Sequence, residues 1–343
     1  QVVFSAHVGD LDNVPSVGVH RRAIDDLVDF FAVRPYAVAC DLHPDYASTR
    51  EAEGRAAQWQ VPLVRVQHHH AHVAACMAEQ GLEGPVLGLA WDGTGYGPDG
   101  TAWGGEVLLC KGAEYRRLAH LRTFPLPGGD RAAREPRRAA LGLLFELLGQ
   151  PAAEIASRWF APRELATLLG ALNRGLHCPR TSSVGRLFDA VAALCGLPDT
   201  VSFEGQAAMG LEFAADRQEA GSYTIAIGEG SPSAADWSPM VRAVLDDLES
   251  GLPVGTISAK FHNALAGWAA AAARSWGEGP IVLTGGCFQN ALLTERVRSR
   301  LLEAGHRVYT HLQTPPGDGG IALGQWFIAA RRCEAEHVLG CSR

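Results

Sequence analysis

Four histidines lie within five consecutive positions of the run QHHHAH, residues 67–72. His68 and His72 are four residues apart, so a helix that begins here places both imidazoles on one face. Two imidazoles placed in this way can bind one metal ion. The apolar run 61–66 predicts a preceding strand, and the alanine-rich run 73–78 predicts that the helix continues. We therefore interpret the histidines as part of a metal site rather than as an expression tag or a polar helix start.

Asp318 is the carboxylate that we predict as a third metal ligand. It follows a loop rich in proline and glycine and precedes a predicted helix over 321–330, a position that equally suits a helix N-cap. Two imidazoles and one carboxylate, with coordination positions left open, suit Fe or Zn. The residue types do not decide between these two metals.

Asp92 follows a predicted buried strand over 86–91 and opens the glycine-dense segment DGTGYG. A carboxylate at the end of a strand can hold a metal or a metal-bound water. Glycines also allow backbone N–H groups to turn toward an anion, most often a phosphate, which applies here to Gly93, Thr94 and Gly95. The Pro-Asp-Gly turn that follows predicts a β-hairpin, which explains the glycines without any ligand. We predict both the hairpin and a phosphate contact.

The paired glycines Gly285 and Gly286 separate a predicted strand over 281–284 from a helix predicted to start near Phe288. Close approach of the backbone to a flat ligand explains such a pair, and the N-terminus of a helix favours anionic groups. A tight strand-to-helix turn explains the glycines as well. In that interpretation Asn290 is a solvated or capping residue.

Two further predicted helix starts carry acidic side chains. Gly185 lies behind the capping residues Ser182 and Ser183, and Asp189 follows four positions later, where it can accept a hydrogen bond from a ribose hydroxyl. An aspartate on the helix surface is an equal alternative. Glu204 lies at another helix start, where the helix dipole alone explains a carboxylate.

These residues lie on an alternation of short β-branched runs and amphipathic helices, which predicts an α/β fold. Ala23–Val33 is predicted as the first helix, and a block of helices starts at 131 and extends to about 216. The Pro-rich segment Phe124–Gly129 is the predicted boundary. We therefore predict a first lobe over 1–130, with the histidine helix and the glycine loop, and a second lobe over 131–343. The last helix of the second lobe is expected to pack back onto the first.

Composition narrows the class of protein. The formal charge is −7, which gives no general attraction to nucleic acid, and no uncharged run of 18 apolar residues indicates a membrane span. Eight cysteines without a CxxC pair indicate reduced thiols and a cytoplasmic protein. Cys287 has no nearby His or Lys in the sequence to activate it, so we predict a buried small residue rather than a nucleophile.

Several segments, in this order, resemble the C-terminal carbamoyltransferase region of the HypF family of [NiFe]-hydrogenase maturation proteins. They are SAHVGDL, DLHPDYAST, the histidine run, WGGE, FEGQ and GGCFQN. Related TsaD-type tRNA-modifying proteins and TobZ-type O-carbamoyltransferases share the His-x3-His pair, but the DLHPDY segment is a HypF feature. The resemblance implies an actin/Hsp70/sugar-kinase-like fold with two lobes around a nucleotide cleft. It also implies that the first strands of this fold, and the domains that precede this region in HypF, are missing here.

The resemblance further implies roles for individual residues. A metal bound by His68, His72 and Asp318 is expected to contact the phosphate of an adenylate. Asp92 and His69 are the implied catalytic residues, which would assist proton removal. The expected cofactors are Fe or Zn, or Mg with the nucleotide, and ATP or carbamoyl-adenylate. The positions implied to hold the adenylate are Gly93, Thr94, Gly95, Gly185, Asp189, Glu204, Gly285, Gly286 and Asn290.

The implied reaction is acyl transfer. A carbamoyl group would move from carbamoyl-adenylate, made by a YrdC-like domain upstream in the full-length protein, to the C-terminal cysteine of HypE, toward the cyanide ligand of [NiFe]-hydrogenase. The alternatives are tRNA threonylcarbamoyl transfer of the TsaD class, which the net acidity disfavours, and small-molecule O-carbamoyl transfer. A non-haem iron oxygenase conflicts with the helical block, and a non-catalytic nucleotide-sensing module stays open.

Overall fold

The computed structural model describes residues 2–274, 276–277 and 279–340. Its strands are β1 (Val38–Asp41), β2 (Leu63–Val66), β3 (Val86–Tyr96), β4 (Ala102–Lys111), β5 (Glu114–Leu121), β6 (Phe124–Pro125), β7 (Arg180–Thr181), β8 (Ala226–Ile227), β9 (Ser233–Asp236), β10 (Pro280–Thr284) and β11 (Arg307–Tyr309). Its helices are α1 (Val14–Phe30), α2 (Ala47–Trp59), α3 (His68–Gln80), α4 (Arg131–Arg134), α5 (Pro136–Leu148), α6 (Ala152–Ala156), α7 (Pro162–Arg174), α8 (Val184–Leu194), α9 (Gln206–Ala214), α10 (Ser238–Glu249), α11 (Val254–Ala273), α12 (Ala291–Glu303) and α13 (Ile321–Gly340). Short 3-10 helices at Gly286–Gln289 and Asp318–Gly320 precede α12 and α13.

One mixed sheet joins most of the described strands, in the order β11-β10-β3-β4-β5-β9-β8, with β6 and β7 attached beside β4. The predicted hairpin is confirmed: β3 and β4 are antiparallel, and the amide of Gly97 donates to the carbonyl of Thr101 across the turn. β10 runs parallel to β3, with Thr284 aligned to Ala90. The residues that follow these two positions, including Asp92, therefore emerge at the same edge of the sheet.

Helix α3 begins at His68, directly after the β2 strand that the sequence predicts. The side chain of Gln67 caps it by accepting the amide of His70 at 2.9 Å. Residues 68–77 are all buried, so this helix lies inside the molecule rather than on its surface. Small residues allow this: a Cβ on Gly88 of β3 would lie 2.3 Å from a methyl carbon of Val73.

The closing helix α13 packs across α3 and the β1–β2 pair. A Cβ on Gly324 would lie 1.8 Å from the carbonyl oxygen of Ala71, so only glycine permits this approach of the two helices. Phe327 and Ile328 of α13 join Met77 in a core on this side of the sheet. A larger core lies on the other side, between β3 and helices α5, α8 and α11.

The sheet runs across residue 130, where the sequence predicts the boundary between lobes. Strands β3 and β5 from the first half pair with β10 and β9 from the second. Strand pairing therefore gives no break at residue 130, and the division into lobes stays a prediction.

The seven cysteines in the described part of the chain are free thiols, and Cys341 lies outside the described residues. Among the described helices, none combines the length and the apolar character needed to cross a membrane.

Candidate functional site

Four side chains converge at the edge of the sheet. Asp92 Oδ2 lies 3.3 Å from His68 Nε2 and 2.9 Å from His72 Nε2. Asp318 Oδ1 lies 3.6 and 3.5 Å from the same two nitrogens. One potential ligand atom from each residue lies within 4.8 Å of the other three. The three residues predicted as metal ligands thus come together, and Asp92 joins them. We call this set the four-ligand cluster.

Neighbouring backbone groups and helix geometry orient each side chain of the four-ligand cluster. Helical spacing places both histidines of α3 toward β3. Asp92 Oδ1 accepts the amide of Gly93 at 2.8 Å and the amide of Gly286 at 3.0 Å, which leaves Oδ2 directed at the histidines. Asp318 opens the 3-10 helix before α13, and its side chain is largely exposed on the open side of the cluster.

Asp41, at the end of β1, fixes the ring of His68. Its Oδ2 lies 2.9 Å from His68 Nδ1, and both side chains are buried. A carboxylate at Nδ1 fixes the ring so that Nε2 faces Asp92 and Asp318, where it would be the ligand nitrogen for a bound metal. Sequence reasoning quoted Asp41 only as part of a motif. Its contact joins two elements far apart in the chain, which no local pattern encodes.

The histidines and carboxylates of the cluster shift one another's pKa values. Burial lowers the pKa of His68 and His72, but the nearby carboxylates of Asp318 and Asp92 outweigh it and raise both values. Burial has the opposite effect on the two carboxyls, yet the two histidines hold the pKa of Asp92 and Asp318 below the ordinary range. Two buried histidines facing two ionised carboxylates form a place where a cation is stabilised.

The chemistry of this donor set fits a transition metal. Two imidazole nitrogens and two carboxylate oxygens suit Fe or Zn, whereas Mg²⁺ prefers oxygen ligands. The Asp41–His68 contact adds the carboxylate–histidine pairing that orients metal-binding imidazoles in proteins. The residues present therefore fit the predicted Fe or Zn, and an Mg²⁺ bound with a nucleotide stays a separate prediction.

Glycines allow three backbone segments to meet beside the cluster. Gly285 has φ +96, and a Cβ there would lie 2.2 Å from the carbonyl oxygen of Trp91. A Cβ on Gly286 would lie 2.8 Å from Asp92 Oδ1. Gly185, at the start of α8, packs against the backbone of Asp92 and Gly93 in β3. Larger residues would separate these segments, so the glycines have a packing role whether or not a ligand binds.

Two adjacent cavities open from this region. The metal-side cavity, of about 520 Å³, is lined by Asp92, Asp318 and Tyr46 among others. The apolar cavity, of about 430 Å³, is lined by Phe188, Met209 and Phe213 among others. The two share a wall that includes Glu204, Gly205, Ala208, Gly286, Cys287 and Gln289. Together they can accept a ligand with one charged end and one flat end.

Most of the residues predicted to hold an adenylate line these cavities. Those on the metal-side cavity are Gly93, Thr94, Gly185, Asp189, Glu204 and Gly286. Gly95 instead lies against the histidines, since a Cβ there would be 2.5 Å from His69 Cε1. Gly285 lies beneath the cavity floor, against Trp91. Their contacts with a ligand stay predictions.

Asp189 is buried, so the alternative of a helix-surface aspartate is wrong. Burial raises its pKa to about 6, partly offset by the guanidinium of Arg186, whose Nη1 lies 3.1 Å from Asp189 Oδ2. Arg186 Nη2 also donates to Glu204 Oε1 at 3.0 Å. Sequence reasoning missed Arg186, although it lies in the motif that singled out Gly185 and Asp189.

Asn290 acts as the cap of α12, as one of the two interpretations predicts. Its Oδ1 accepts the amide of Leu293 at 2.8 Å, and its Nδ2 lies 2.9 Å from His262 Nε2. Nδ1 of His262 lies 2.8 Å from the carbonyl of Ser258, so this ring donates there and accepts from Asn290. The residue also lines the apolar cavity, and its contact with adenosine stays a prediction.

His69 lies behind the glycine loop, fully buried beside Trp103. Burial, helped by the charge of His68, holds its pKa well below the usual range, so the ring is neutral. Its Nδ1 lies 3.2 Å from the side-chain amide of Gln67, which donates to it. Cys287 does line both cavities, but burial raises its pKa well above the usual value, so it stays a thiol. The catalytic role predicted for His69 stays a prediction.

Fold and site together define an α/β domain with a metal-binding cluster at the edge of a glycine-lined cleft. Two family profiles match the chain: one described as "HypF Kae1-like domain" over residues 1–79, and one described as "Carbamoyltransferase, Kae1-like Domain, second subdomain" over residues 88–325. The chain belongs to the HypF family.

Individual relatives agree with this assignment. The chain is 40% identical to carbamoyltransferase HypF2 of Cupriavidus necator, with 97% of the chain covering 44% of that protein. It is 41% identical to a carbamoyltransferase HypF homolog of the same organism, covering 87% of it with 97% of the chain. It is also 41% identical to carbamoyltransferase HypF of Rhizobium leguminosarum bv. viciae, covering 44% of it with 98% of the chain. The chain thus spans less than half of two of these three relatives.

Solved structures confirm the fold. A crystal structure of full-length HypF in a phosphate- and nucleotide-bound form superposes with a TM-score of 0.88 at 39% identity, covering 94% of this chain and 42% of that one. HypF of T. kodakarensis gives a TM-score of 0.87 at 31% identity, covering 96% and 45%. The predicted actin-like fold class is therefore confirmed in its Kae1-like form.

Proposed function

We propose that this chain is the carbamoyl-transfer domain of a HypF-type protein. It binds carbamoyl-adenylate across the two cavities and passes the carbamoyl group to the C-terminal cysteine thiol of HypE. The observation that carries the proposal is the four-ligand cluster beside a glycine-lined cleft whose two halves differ in polarity. The carbamoyltransferase names of the relatives and the nucleotide in one solved HypF support it.

The chain's residues have distinct tasks in this reaction. His68, His72, Asp92 and Asp318 would hold the metal, which when bound supplies a Lewis acid beside the phosphate. The irregular part of β3 after Asp92 lies beside the proposed phosphate position, where its backbone amides that are not bonded to Asp92 would stabilise charge as AMP leaves. The apolar cavity holds the adenine, and Asp189 accepts from the ribose.

Transfer forms a carbon–sulfur bond to the carbamoyl carbon and breaks that carbon's bond to the phosphate oxygen, releasing AMP. The nucleophile comes from outside, because burial and the charge of Asp92 raise the pKa of Cys287 and keep it a thiol. We assign Asp92 to the metal rather than to proton removal, since both its oxygens already have partners. A proton acceptor such as His69 stays a prediction.

HypE as acceptor and an upstream YrdC-like domain as source of the adenylate complete the proposal. Relatives more than twice as long as this chain leave room for such a domain. All participants are expected in the cytoplasm, as the cysteine pattern predicts.

The test supplies carbamoyl-adenylate to this chain together with HypE. The adenylate is generated from ATP and carbamoyl phosphate, with release of phosphate and pyrophosphate, by the separately prepared domains that precede this region in HypF. Mass spectrometry of the C-terminal HypE peptide should show one added carbamoyl group. His68→Ala should abolish both transfer and metal retention, whereas His20→Ala, on α1 away from the cleft, should change neither.

Transfer at the wild-type rate by a His68→Ala protein that holds no metal would contradict the metal site. Modification of tRNA or of a small-molecule hydroxyl, with HypE unmodified, would replace HypE as the acceptor and leave the adenylate site in place.

A further inference from the structure

Glu79, near the end of α3, is joined to the loop that carries Asp318. Its carboxylate accepts three consecutive backbone amides: Leu312 at 3.0 Å, Thr314 at 2.9 Å, and that of Gln313 between them. The hydroxyl of Thr314 also donates to it at 3.2 Å. A carboxylate with four donors is a built contact rather than a chance approach of surface groups.

The Glu79 side chain is buried in this contact, and its carboxyl group stays ionised. The side chain of Glu79 is 8% exposed, and burial alone would raise its pKa. The backbone amides of the loop outweigh burial and lower the pKa of Glu79. The ionised carboxylate and the three amides therefore hold each other in place.

A second set of bonds ties the same loop to the sheet. His311 lies between two hydroxyls, with Nδ1 2.9 Å from Thr314 Oγ1 and Nε2 2.8 Å from Thr284 Oγ1. Thr284 ends β10 and also donates to the carbonyl of His72 at 3.2 Å. Further along, the carbonyl of Pro316 accepts the amide of Gly285 at 2.8 Å.

The loop is thus fixed at both ends just before Asp318. We propose that Glu79 is a positioning residue that sets Asp318 against the histidine pair. Helix α3 carries His68 and His72 in its first two turns and Glu79 in its last, so one rigid helix places two ligands directly and the third through the loop. This proposal rests on the proposed metal site.

Metal affinity tests it in the whole chain. Zn²⁺ binding is measured by competition with a chromophoric chelator at neutral pH. Glu79→Gln replaces one of the two acceptor oxygens with an NH2 group, which cannot accept a backbone N–H. We therefore expect Zn²⁺ to bind about 10-fold more weakly, in the range of outer-shell changes at metal sites. Glu83→Gln, on the exposed turn after α3, is the matched control and should bind as the wild type does.

A double-variant cycle separates positioning from general destabilisation. In an Asp318→Asn background, Glu79→Gln should cause no further loss of affinity, because the carboxylate that it positions is already gone. An equal loss in both backgrounds would overturn the proposal, as would wild-type affinity in the single variant. If Glu79→Gln does not fold, Thr314→Val removes only the hydroxyl contacts, and its affinity loss should likewise vanish in the Asp318→Asn background. A wild-type chain that binds no Zn²⁺ or Fe²⁺ would instead refute the metal site itself.

Discussion

The metal-side cavity and the apolar cavity share a wall but are built in opposite ways. On the metal side, each oxygen of Asp92 has a partner, and His68 is held between Asp41 and Asp92. On the apolar side, Phe213 is 77% exposed and has no such network. On the metal side the polar side chains bond to one another, so one substitution should affect several of them. On the apolar side the ring of Phe213 forms no such bonds, so its substitution should have only a local effect. The predictions that follow test that difference.

The largest effect is expected from His72→Ala. It removes a ligand outright, so Zn²⁺ affinity should fall about 1,000-fold or more, beyond the 10- to 100-fold typical of outer-shell changes. AMP affinity, measured by calorimetry without added metal, should fall less than about 10-fold because adenine binding uses the apolar cavity. His20→Ala is the control. Equal losses for Zn²⁺ and AMP would show that the two cavities behave as one site.

Asp189, on the metal-side cavity, should make stability depend on pH. Its folded pKa of about 6 lies above the ordinary value of 3.8, so between these values the folded state keeps a proton that the unfolded state releases. The free energy of unfolding should therefore fall by about 2 kcal/mol as pH rises from 4 to 6, and level off above pH 7.

Asp189→Asn should remove this decline, and Asp246→Asn, on the exposed face of α10, should keep it. Urea unfolding at pH 4, 5, 6 and 7 measures the difference. The same slope in wild type and Asp189→Asn would mean that Asp189 ionises normally in the fold.

A smaller effect is expected at the shared wall. Gly286→Ala places a methyl group 2.8 Å from Asp92 Oδ1 and must displace that carboxylate. We expect about 10-fold weaker Zn²⁺ binding, comparable to other outer-shell changes. Gly84→Ala, where a Cβ meets nothing within 4 Å, is the matched control. Unchanged Zn²⁺ affinity would show that Asp92 can shift without leaving the metal.

The smallest effect is expected from Phe213→Ala. Loss of one aromatic wall should weaken AMP binding about 5-fold, close to 1 kcal/mol, and change the free energy of unfolding by less than about 0.5 kcal/mol. Zn²⁺ affinity should not change. Phe30→Ala, an exposed phenylalanine on α1, controls for loss of surface aromatic area. A change in Zn²⁺ affinity would break the proposed separation of the two cavities.

Local patterns predicted the parts of this site that lie on regular elements. The i, i+4 spacing of His68 and His72 was sufficient to predict the histidine pair. Asp92 was predicted to follow a strand over 86–91, but β3 continues to Tyr96 and Asp92 lies where its pairing with β4 is interrupted. The predicted bounds of the first helix were wrong: the sequence predicted 23–33, but α1 spans Val14–Phe30. Asn13 caps it, and a proline follows in the first turn, which are start signals that the apolar pattern alone does not show.

The supporting contacts could not be predicted from the sequence. Asp41 and Glu79 each act on a partner in another element, and Glu79 meets residues more than 230 positions away. No periodicity records such a pairing. Asn290 shows that one residue of such a motif can be predictable in part: its capping of α12 follows from local sequence, whereas its contact with His262 of α11 does not.

The residues of the four-ligand cluster are translated at different times, because they lie far apart in the chain. Roughly 250 residues lie between His68 and Asp318, and α13 then closes over α3 at Gly324. At about 5–20 residues per second, a ribosome needs on the order of ten seconds or more to cover that distance. For most of this interval three of the four cluster residues, His68, His72 and Asp92, exist without Asp318, and the histidine helix lacks α13, which covers it. The complete cluster proposed to hold the metal therefore exists only after this last region has been translated.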